Sequence, residues 1–243
     1  PILHKIIEER LLTAKAAVAF YPANSVGDDI ELYTDDSRET VLATFHCLRQ
    51  QAERRGGKPN LCLADFIAPK DSGVNDYFGM FVVTAGIGCD DYAKTFSDNH
   101  DEYTAIMVQV LADRLAEAFA ECMHEEVRKM HWAYEKNEKL DNNALIDEKY
   151  MGIRPAPGYP ACPEHSEKRQ LFDLLKVEEK LGMKLTENFA MWPAASVSGF
   201  YFSHPQSQYF NVGKVGRDQL EDYAKRLGVE LAVAERLLAS NLS

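Results

Sequence analysis

The sequence predicts a single α+β domain in which a largely antiparallel β-sheet is flanked by helices. Before Asp90, short β-rich runs alternate with short turns, which suits antiparallel pairing because parallel strands need long crossovers. After Asp90, apolar residues recur mainly at helical spacing. No internal repeat, low-complexity tract or flexible linker divides the 243 residues, so one domain is expected over residues 1–243.

The N-terminal part is predicted to contain one helix followed by strands. Apolar residues at helical spacing from Leu3 to Leu11 predict a helix over residues 3–15. Apolar or β-branched runs that stop at turn residues predict strands at residues 16–21, 29–33, 40–48 and 77–85. Residues 61–67 form a further apolar run, which Asp65 interrupts.

The C-terminal part is predicted to be mainly helical. A broad apolar stripe predicts a long helix over residues 90–134 with a break near Asn99. Shorter helices are predicted at residues 143–150, 166–181, 217–227 and 230–240. Ser166 is the expected N-cap of the helix over 166–181, and Gly182 is its expected stop. Aromatic-rich strands are predicted at residues 187–202 and 207–215.

Composition limits the classes of function. The net charge of −11 argues against a broad surface for nucleic acid or anionic membrane, so neither partner is expected. No stretch approaches the ~20 apolar residues of a membrane span. The five cysteines are scattered and odd in number, which predicts free thiols in a reducing compartment. Because the chain opens with Pro1 and not with Met, we expect a fragment of a longer polypeptide.

Residues 154–165, here called the proline ribbon, read RPAPGYPACPEH. Four prolines in this stretch exclude a regular helix and a central strand. The ribbon carries the cation Arg154 and the phenol Tyr159, and Gly158 allows a positive φ or a ligand close to bare backbone. A stiff segment of this kind suits ligand capture, because little entropy remains to be lost on binding. A rigid linker between two helical segments is the alternative.

Two further patterns each have a structural and a functional interpretation. Asp113, Glu117, Glu121 and Glu125 recur every four residues on the long helix and therefore share one face. That face is either a solvated acidic surface or the site of a carboxylate that meets a ligand cation. The aromatic residues around 200–210 either pack the sheet or form a platform for a flat ring.

The sequence shows no motif for a metal site, a nucleophilic triad or a phosphate-binding loop, so we expect no metal site and no catalytic nucleophile here. The residue types instead suggest a ligand with an anionic and a cationic end. Arg154 can hold a carboxylate bidentately, and a carboxylate of the long helix such as Glu117 can face an ammonium group. Tyrosine and backbone groups can hold a flat ring, so an amino-acid-like zwitterion with an aromatic appendage fits.

Three segments closely resemble the C-terminal activation (reactivation) domain of cobalamin-dependent methionine synthase, and the resemblance covers essentially the whole chain. They are the proline ribbon, residues 112–119 (ADRLAEAF), and residues 191–205 (MWPAASVSGFYFSHP). The resemblance implies a C-shaped α+β domain around a bent antiparallel sheet. It also implies an upstream aspartate that contacts S-adenosylmethionine, which this chain starts too late to contain.

The resemblance implies a role for individual residues. Arg154, Gly158 and Tyr159 match the family's R-x-x-x-G-Y motif, in which the arginine holds the methionyl carboxylate of S-adenosylmethionine. By the same resemblance, the Ala156 backbone lines the site together with Tyr159, and Glu117 lies near the ligand's amino group. Tyr209 and Phe210 match residues that contact the adenosine, and Asp113 matches a residue implicated in docking the cobalamin module. Tyr159 is the expected contact near the cobalt. His165 and Cys162 are expected to be structural, as a hydrogen-bonded support and a buried thiol.

The same resemblance implies a cytoplasmic domain that takes part in methionine biosynthesis. It presents the methyl group of S-adenosylmethionine for the reductive methylation of cob(II)alamin. Cobalamin is held mainly by a neighbouring module of the full-length chain, zinc belongs only to an upstream module, and flavodoxin or a similar flavoprotein supplies the electron. A non-catalytic S-adenosylmethionine sensor remains the alternative. An ordinary S-adenosylmethionine-dependent methyltransferase is disfavoured, because no glycine-rich turn opens an α/β pattern.

Overall fold

The computed structural model describes residues 2–242, apart from the side chain of Arg55. The helices are α1 Ile2–Glu8, α2 Cys89–Ser97, α3 Glu102–Glu126, α4 Asn142–Ile146, α5 Glu167–Leu175, α6 Val177–Leu181, α7 Arg217–Leu227 and α8 Leu231–Leu237. The strands are β1 Thr13–Val26, β2 Asp29–Tyr33, β3 Val41–His46, β4 Asp76–Ile87, β5 Lys184–Leu185, β6 Met191–Trp192 and β7 Ser196–Tyr201. A π-helical turn, Val127–His131, extends α3, and 3₁₀ turns occupy Arg55–Gly57, Leu63–Phe66 and Lys70–Ser72.

One five-stranded sheet organises the molecule, with the strand order β3-β2-β1-β4-β7. All of its neighbouring strands are antiparallel. The long strand β1 pairs with β4 along most of its length and with β2 only from Ala23 to Val26. Together with the flanking helices, this sheet confirms the predicted α+β architecture and the largely antiparallel pairing.

The two faces of the sheet are covered by different helices, because successive side chains of a strand point to opposite faces. One face packs on α5 and α6 through an apolar cluster that includes Phe78, Met80, Phe200, Phe202, Leu171, Phe172 and Val177. The other face packs on α3 through Phe81, Val83, Tyr201, Ala120 and Val127. The C-terminal helices α7 and α8 enclose a separate cluster that includes Leu220, Tyr223, Ala234 and Leu238.

Most predicted elements are present, with shifted ends. The strands predicted at 29–33, 40–48 and 77–85 are β2, β3 and β4, and the helices predicted at 217–227 and 230–240 are α7 and α8. The long helix is interrupted between Ser97 and Glu102, close to the predicted break, and its π-helical end stops at His131. The short helix predicted at 143–150 is α4, and the apolar run at 61–67 contains a 3₁₀ turn.

The helix predicted over residues 3–15 is wrong beyond Glu8. Arg10 has a positive φ of 53°, and β1 begins at Thr13, five residues after the helix ends. Residues from Thr13 onward pair with β4, so ladder hydrogen bonds outweigh the helical spacing of the preceding apolar residues. The strand predicted at 16–21 therefore lies inside a longer one.

The helix predicted over residues 166–181 is divided in two. Lys176 adopts a left-handed conformation with φ of 53° between α5 and α6, and Gly182 ends α6 with φ of 75°, as predicted. Ser166 stands at the start of α5, but its side chain makes no capping hydrogen bond. Its hydroxyl donates to Glu164 Oε2 instead, at 2.5 Å.

Two strand predictions near the C-terminus fail in part. Residues 187–202 contain only β6 and β7, with Pro193 between them, where no ladder donor is available. Residues 207–215 form no strand. The edge of β7 that such a strand would need is occupied, because Phe202 pairs with Ile153 and the Phe200 N–H donates to Pro155 O at 2.9 Å.

Within residues 2–242, no helix is both long enough and apolar enough to cross a membrane.

Candidate functional site

The proline ribbon is held at one end by the sheet and at its tip by its own backbone. Ile153 extends the edge of β7, and residues 156–162 then fold back in two tight turns. The Tyr159 N–H donates to Ala156 O at 3.1 Å, and the Gly158 N–H donates to Cys162 O at 2.7 Å. These bonds leave Tyr159 at the outer tip, where 58% of the residue is exposed.

A cleft of about 280 Å³ lies beside this ribbon. Its walls come from α3, the ribbon, the segment after β7 and the sheet beneath, and its lining residues are Phe81, Glu117, Glu148, Arg154, Pro155, Ala156, Tyr159, Pro160, Ala161, Val197, Tyr209 and Phe210. The volume is near the lower limit for small-molecule sites. The structure thus brings together Glu117, Arg154, Ala156, Tyr159, Tyr209 and Phe210, which the sequence analysis singled out from three separate segments.

Arg154 is fixed at both its backbone and its side chain. Its N–H donates to the Tyr209 hydroxyl at 3.0 Å, and its Nη1 donates to Glu121 Oε2 at 2.8 Å. Burial of the guanidinium disfavours its charged form and lowers the pKa of Arg154. The Glu121 carboxylate and the nearby tyrosine hydroxyls outweigh this effect, so the pKa is raised overall. The side chain therefore stays cationic at the wall of the cleft.

Glu121, the partner of Arg154, was not predicted as a site residue. Its Oε1 is buried and has no hydrogen-bond partner in the part of the chain that the structure describes. Burial raises the pKa of this carboxyl, although Arg154 and Arg128 act in the opposite direction. The four-residue spacing from Glu117 showed a shared helix face, but it could not show which carboxylate meets the arginine.

The ribbon leaves further polar groups available to a ligand. Glu117 is exposed, and its carboxylate makes no hydrogen bond or ion pair with another residue between positions 2 and 242. The Ala156 carbonyl accepts from Tyr159, whereas the Ala156 N–H has no partner among the described residues. Tyr209 and Phe210 add aromatic walls. The residues that line this cleft therefore include a cation, an unpaired carboxylate, two rings and an alanine whose N–H has no partner in the described chain.

Gly158 does not line the cleft, and the close approach at this glycine is made by a side chain of the protein. Its φ is +96°, and a Cβ there would clash with His165 Cε1. The His165 ring in turn accepts at Nδ1 from Lys168 Nζ, 2.8 Å away. Burial and the Lys168 charge lower the pKa of His165, so a neutral imidazole supports the turn. The positive φ that the sequence allowed at Gly158 is therefore present, and a contact between its backbone and a ligand stays a prediction.

Asp113 stands apart from the cleft. It is exposed on α3 one turn before Glu117, and it is not among the lining residues. Its docking role remains a prediction. Cys162 is partly buried, and burial raises the pKa of its thiol well above the ordinary value, so the thiol is neutral. All five cysteines are free thiols.

Three lining residues outside the ribbon were not predicted from the sequence. Phe81 and Val197 lie on β4 and β7, and strand alternation places them on the face toward α3 without indicating a site. Glu148 lies beyond the short helix α4 in a stretch without any recognisable motif. Only the folded arrangement brings these residues to the cleft.

Comparison with known proteins gives two findings. A family model described as the activation domain of vitamin B12 dependent methionine synthase matches residues 1–228. A solved structure described as the crystal structure of the MetH reactivation domain bound to AdoHcy superposes on this chain with a TM-score of 0.97. The two sequences are 57% identical, and the match covers 100% of this chain and 74% of the other.

Proposed function

Because this chain belongs to the family of activation domains of vitamin B12-dependent methionine synthase, we propose that it binds S-adenosylmethionine in the cleft beside the proline ribbon. It presents the methyl group of that ligand for the reductive methylation that reactivates the synthase. The similar structure is described as bound to AdoHcy, the demethylated form of this ligand, and that description supports the proposal.

The observation that carries this proposal is the separation of charges across one small cleft. Arg154 provides a cation, Glu117 provides an unpaired carboxylate, and Tyr209 and Phe210 provide flat walls. An amino-acid end needs the two charges, and a nucleoside end needs the aromatic surface. S-adenosylmethionine carries both ends on one sulfonium.

Each residue of the site has a proposed task. Arg154 holds the ligand carboxylate, Glu117 holds the ammonium, and the Ala156 N–H adds a backbone donor. Tyr209 and Phe210 contact the adenosine. The exposed ring of Tyr159 at the tip of the ribbon faces the cobalamin, and Asp113 contacts the module that carries it.

The chemistry belongs mainly to the two cofactors. A cobalamin on the neighbouring module, reduced by an electron from flavodoxin or a similar flavoprotein, would supply the nucleophile for the sulfonium methyl group, and S-adenosylhomocysteine would be the leaving group. The residues of this chain orient the methyl donor and bring it to the partner module. Methyl transfer to that nucleophile requires no proton transfer, so no general base is required of the cleft.

Calorimetric titration with S-adenosylhomocysteine tests the binding site. We expect the unaltered chain to bind and Arg154→Ala to lose ~2–5 kcal/mol of binding free energy, because the ligand carboxylate loses its half-buried charged partner. Arg217→Ala is the matched control, since Arg217 begins α7 and pairs at the surface with Glu221 of the same helix and Glu235 of α8. Undiminished binding by Arg154→Ala contradicts the assignment of Arg154.

A sensor that binds S-adenosylmethionine without transferring its methyl group is the second candidate. The same cleft serves either role, so binding alone does not separate them. The two roles are separated by measuring methyl transfer to reduced cobalamin on a supplied cobalamin module, because a sensor would bind S-adenosylmethionine without transferring the methyl group.

A further inference from the structure

Two carboxylates one turn apart on α3 have different surroundings. Glu117 lines the cleft and has no ionic partner among residues 2–242. Glu121 is not a lining residue, and its Oε2 accepts from Arg154 Nη1 at 2.8 Å. The arginine therefore pairs with the carboxylate that does not line the cleft, although Glu117, which has no ionic partner in the described chain, lines the same cleft.

A pair between Arg154 and Glu117 would disable the site. Both side chains line the same cleft, and a mutual ion pair would satisfy the two charges that a zwitterion needs. The arginine side chain has many rotamers, so its direction must be set by a partner. Glu121 is that partner in this structure.

We propose that Glu121 is a positioning residue, which holds Arg154 away from Glu117 and thereby keeps the cleft open to a zwitterionic amino-acid group. This inference rests on the proposed function of the cleft as a site for S-adenosylmethionine. It assigns Glu121 a task through Arg154 and no contact with the ligand.

The backbone of Arg154 is already held in place, so only its guanidinium group needs a further contact to be positioned. The Arg154 N–H is held by the Tyr209 hydroxyl, and Pro155 restricts Arg154 to extended backbone. The Arg154 and Glu121 side chains are 21% and 26% exposed, so solvent screens their attraction less than at a free surface. This pairing anchors Nη1 and so directs the guanidinium toward α3.

The pair also leaves donors for the ligand. Nη1 of Arg154 donates to Glu121, whereas Nε and Nη2 make no hydrogen bond to another residue in the described chain. A guanidinium has five N–H donors in a planar fork, so a carboxylate can still be bound bidentately. Glu121 and a ligand carboxylate can thus share one arginine.

Binding of two ligands distinguishes a positioning role of Glu121 from a general role in keeping the protein folded. S-adenosylhomocysteine carries the amino-acid group, and 5′-methylthioadenosine has the same adenosine and thioether without it. Both are titrated into the unaltered chain, Glu121→Ala and Glu121→Gln. Glu125→Gln is the control, because Glu125 lies one turn later on α3 and pairs with Lys129.

We expect Glu121→Ala to weaken S-adenosylhomocysteine binding by about tenfold or more, since a half-buried charge pair is lost. Glu121→Gln keeps an acceptor for Arg154 and should lose less. Methylthioadenosine affinity should change by less than about twofold in both, and Glu125→Gln should match the unaltered chain.

Two results overturn the positioning role. One is an unchanged affinity of Glu121→Ala for S-adenosylhomocysteine. The other is an equal loss for both ligands, which indicates a damaged fold. If the unaltered chain binds methylthioadenosine but not S-adenosylhomocysteine, or binds neither, the proposed function itself fails, and this inference fails with it.

Discussion

At the scale of single residues, the tip of the proline ribbon depends on one glycine and one ring. Gly158 has a φ of +96°, and the His165 ring occupies the space that a Cβ would need. Lys168 Nζ bonds the ring at Nδ1 and also donates to Phe189 O at 3.2 Å, so the ring is fixed from behind. The position of Tyr159, the next residue, therefore depends on a contact inside the protein.

Gly158→Ala should lower both stability and ligand affinity. The positive φ alone costs an alanine about 1–2 kcal/mol, and the clash with His165 adds to this. Gly182→Ala is the matched control, because Gly182 has φ of +75° but nothing within 4 Å of its added Cβ. Urea unfolding and titration with S-adenosylhomocysteine should show a larger loss at Gly158 and a loss of affinity only there. Equal effects of the two changes would contradict the role of the ring.

Glu167 should make stability depend on pH. Burial raises its pKa from 4.5 to about 8, although the His46 N–H at Oε1 favours the charged form. The fold therefore favours the protonated acid, so this contribution to stability is complete below pH 4.5 and is lost as pH rises through about 8. The slope can reach about 1.4 kcal/mol per pH unit.

Glu167→Gln should remove that slope, because the amide keeps the acceptor for His46 and cannot ionise. Urea unfolding from pH 5 to pH 9 should show a variant that is more stable than the unaltered chain at the alkaline end. Glu179→Gln, which changes an exposed carboxylate of α6, controls for the change in net charge. A variant with the same pH dependence as the unaltered chain would show that Glu167 is ionised throughout.

At the scale of elements, helix α3 positions the acidic side of the cleft through small residues. Ala112, Ala116 and Ala120 recur every four residues, and each is at most 1% exposed where the helix packs. Glu117 and Glu121 extend from the same helix toward the ribbon. The distance of α3 from the sheet therefore sets the distance of both carboxylates from Arg154.

Ala116→Leu should displace the helix. Overpacking of a tight contact costs about 1–3 kcal/mol, and the shift should also weaken S-adenosylhomocysteine binding. Ala118→Leu adds the same side chain at an exposed position two residues later and should change the free energy of unfolding by less than about 0.5 kcal/mol. Normal affinity in a destabilised Ala116→Leu would show that the helix does not set the site.

Local sequence periodicity predicts a helix or strand correctly where it agrees with the tertiary packing. Strands β2, β3 and β4 and helix α7 follow from local pattern, because each pattern agrees with the tertiary packing. The strand predicted at 207–215 fails because the start of the ribbon already occupies the edge of β7. Competition between distant segments for one edge has no local signal.

At the scale of the whole molecule, the cleft is assembled from distant parts of the chain. Charge and aromatic type pointed to Arg154, Glu117 and Tyr209 before their proximity was known. Phe81 and Glu148 could not be predicted, since an apolar strand residue and a surface carboxylate are common everywhere. The family resemblance predicted the fold and matched residues across three segments, but Glu121 follows only from the geometry.

The most direct test of this account is single-turnover methyl transfer. The chain is mixed with a cobalamin-binding module carrying reduced cobalamin and with S-adenosylmethionine labelled in the methyl group, and Arg154→Ala is run in parallel. We expect label on the cobalamin with the unaltered chain, and slower transfer with Arg154→Ala because binding of the methyl donor is weakened. Binding of S-adenosylmethionine without any transfer of label would contradict it and would leave a sensor.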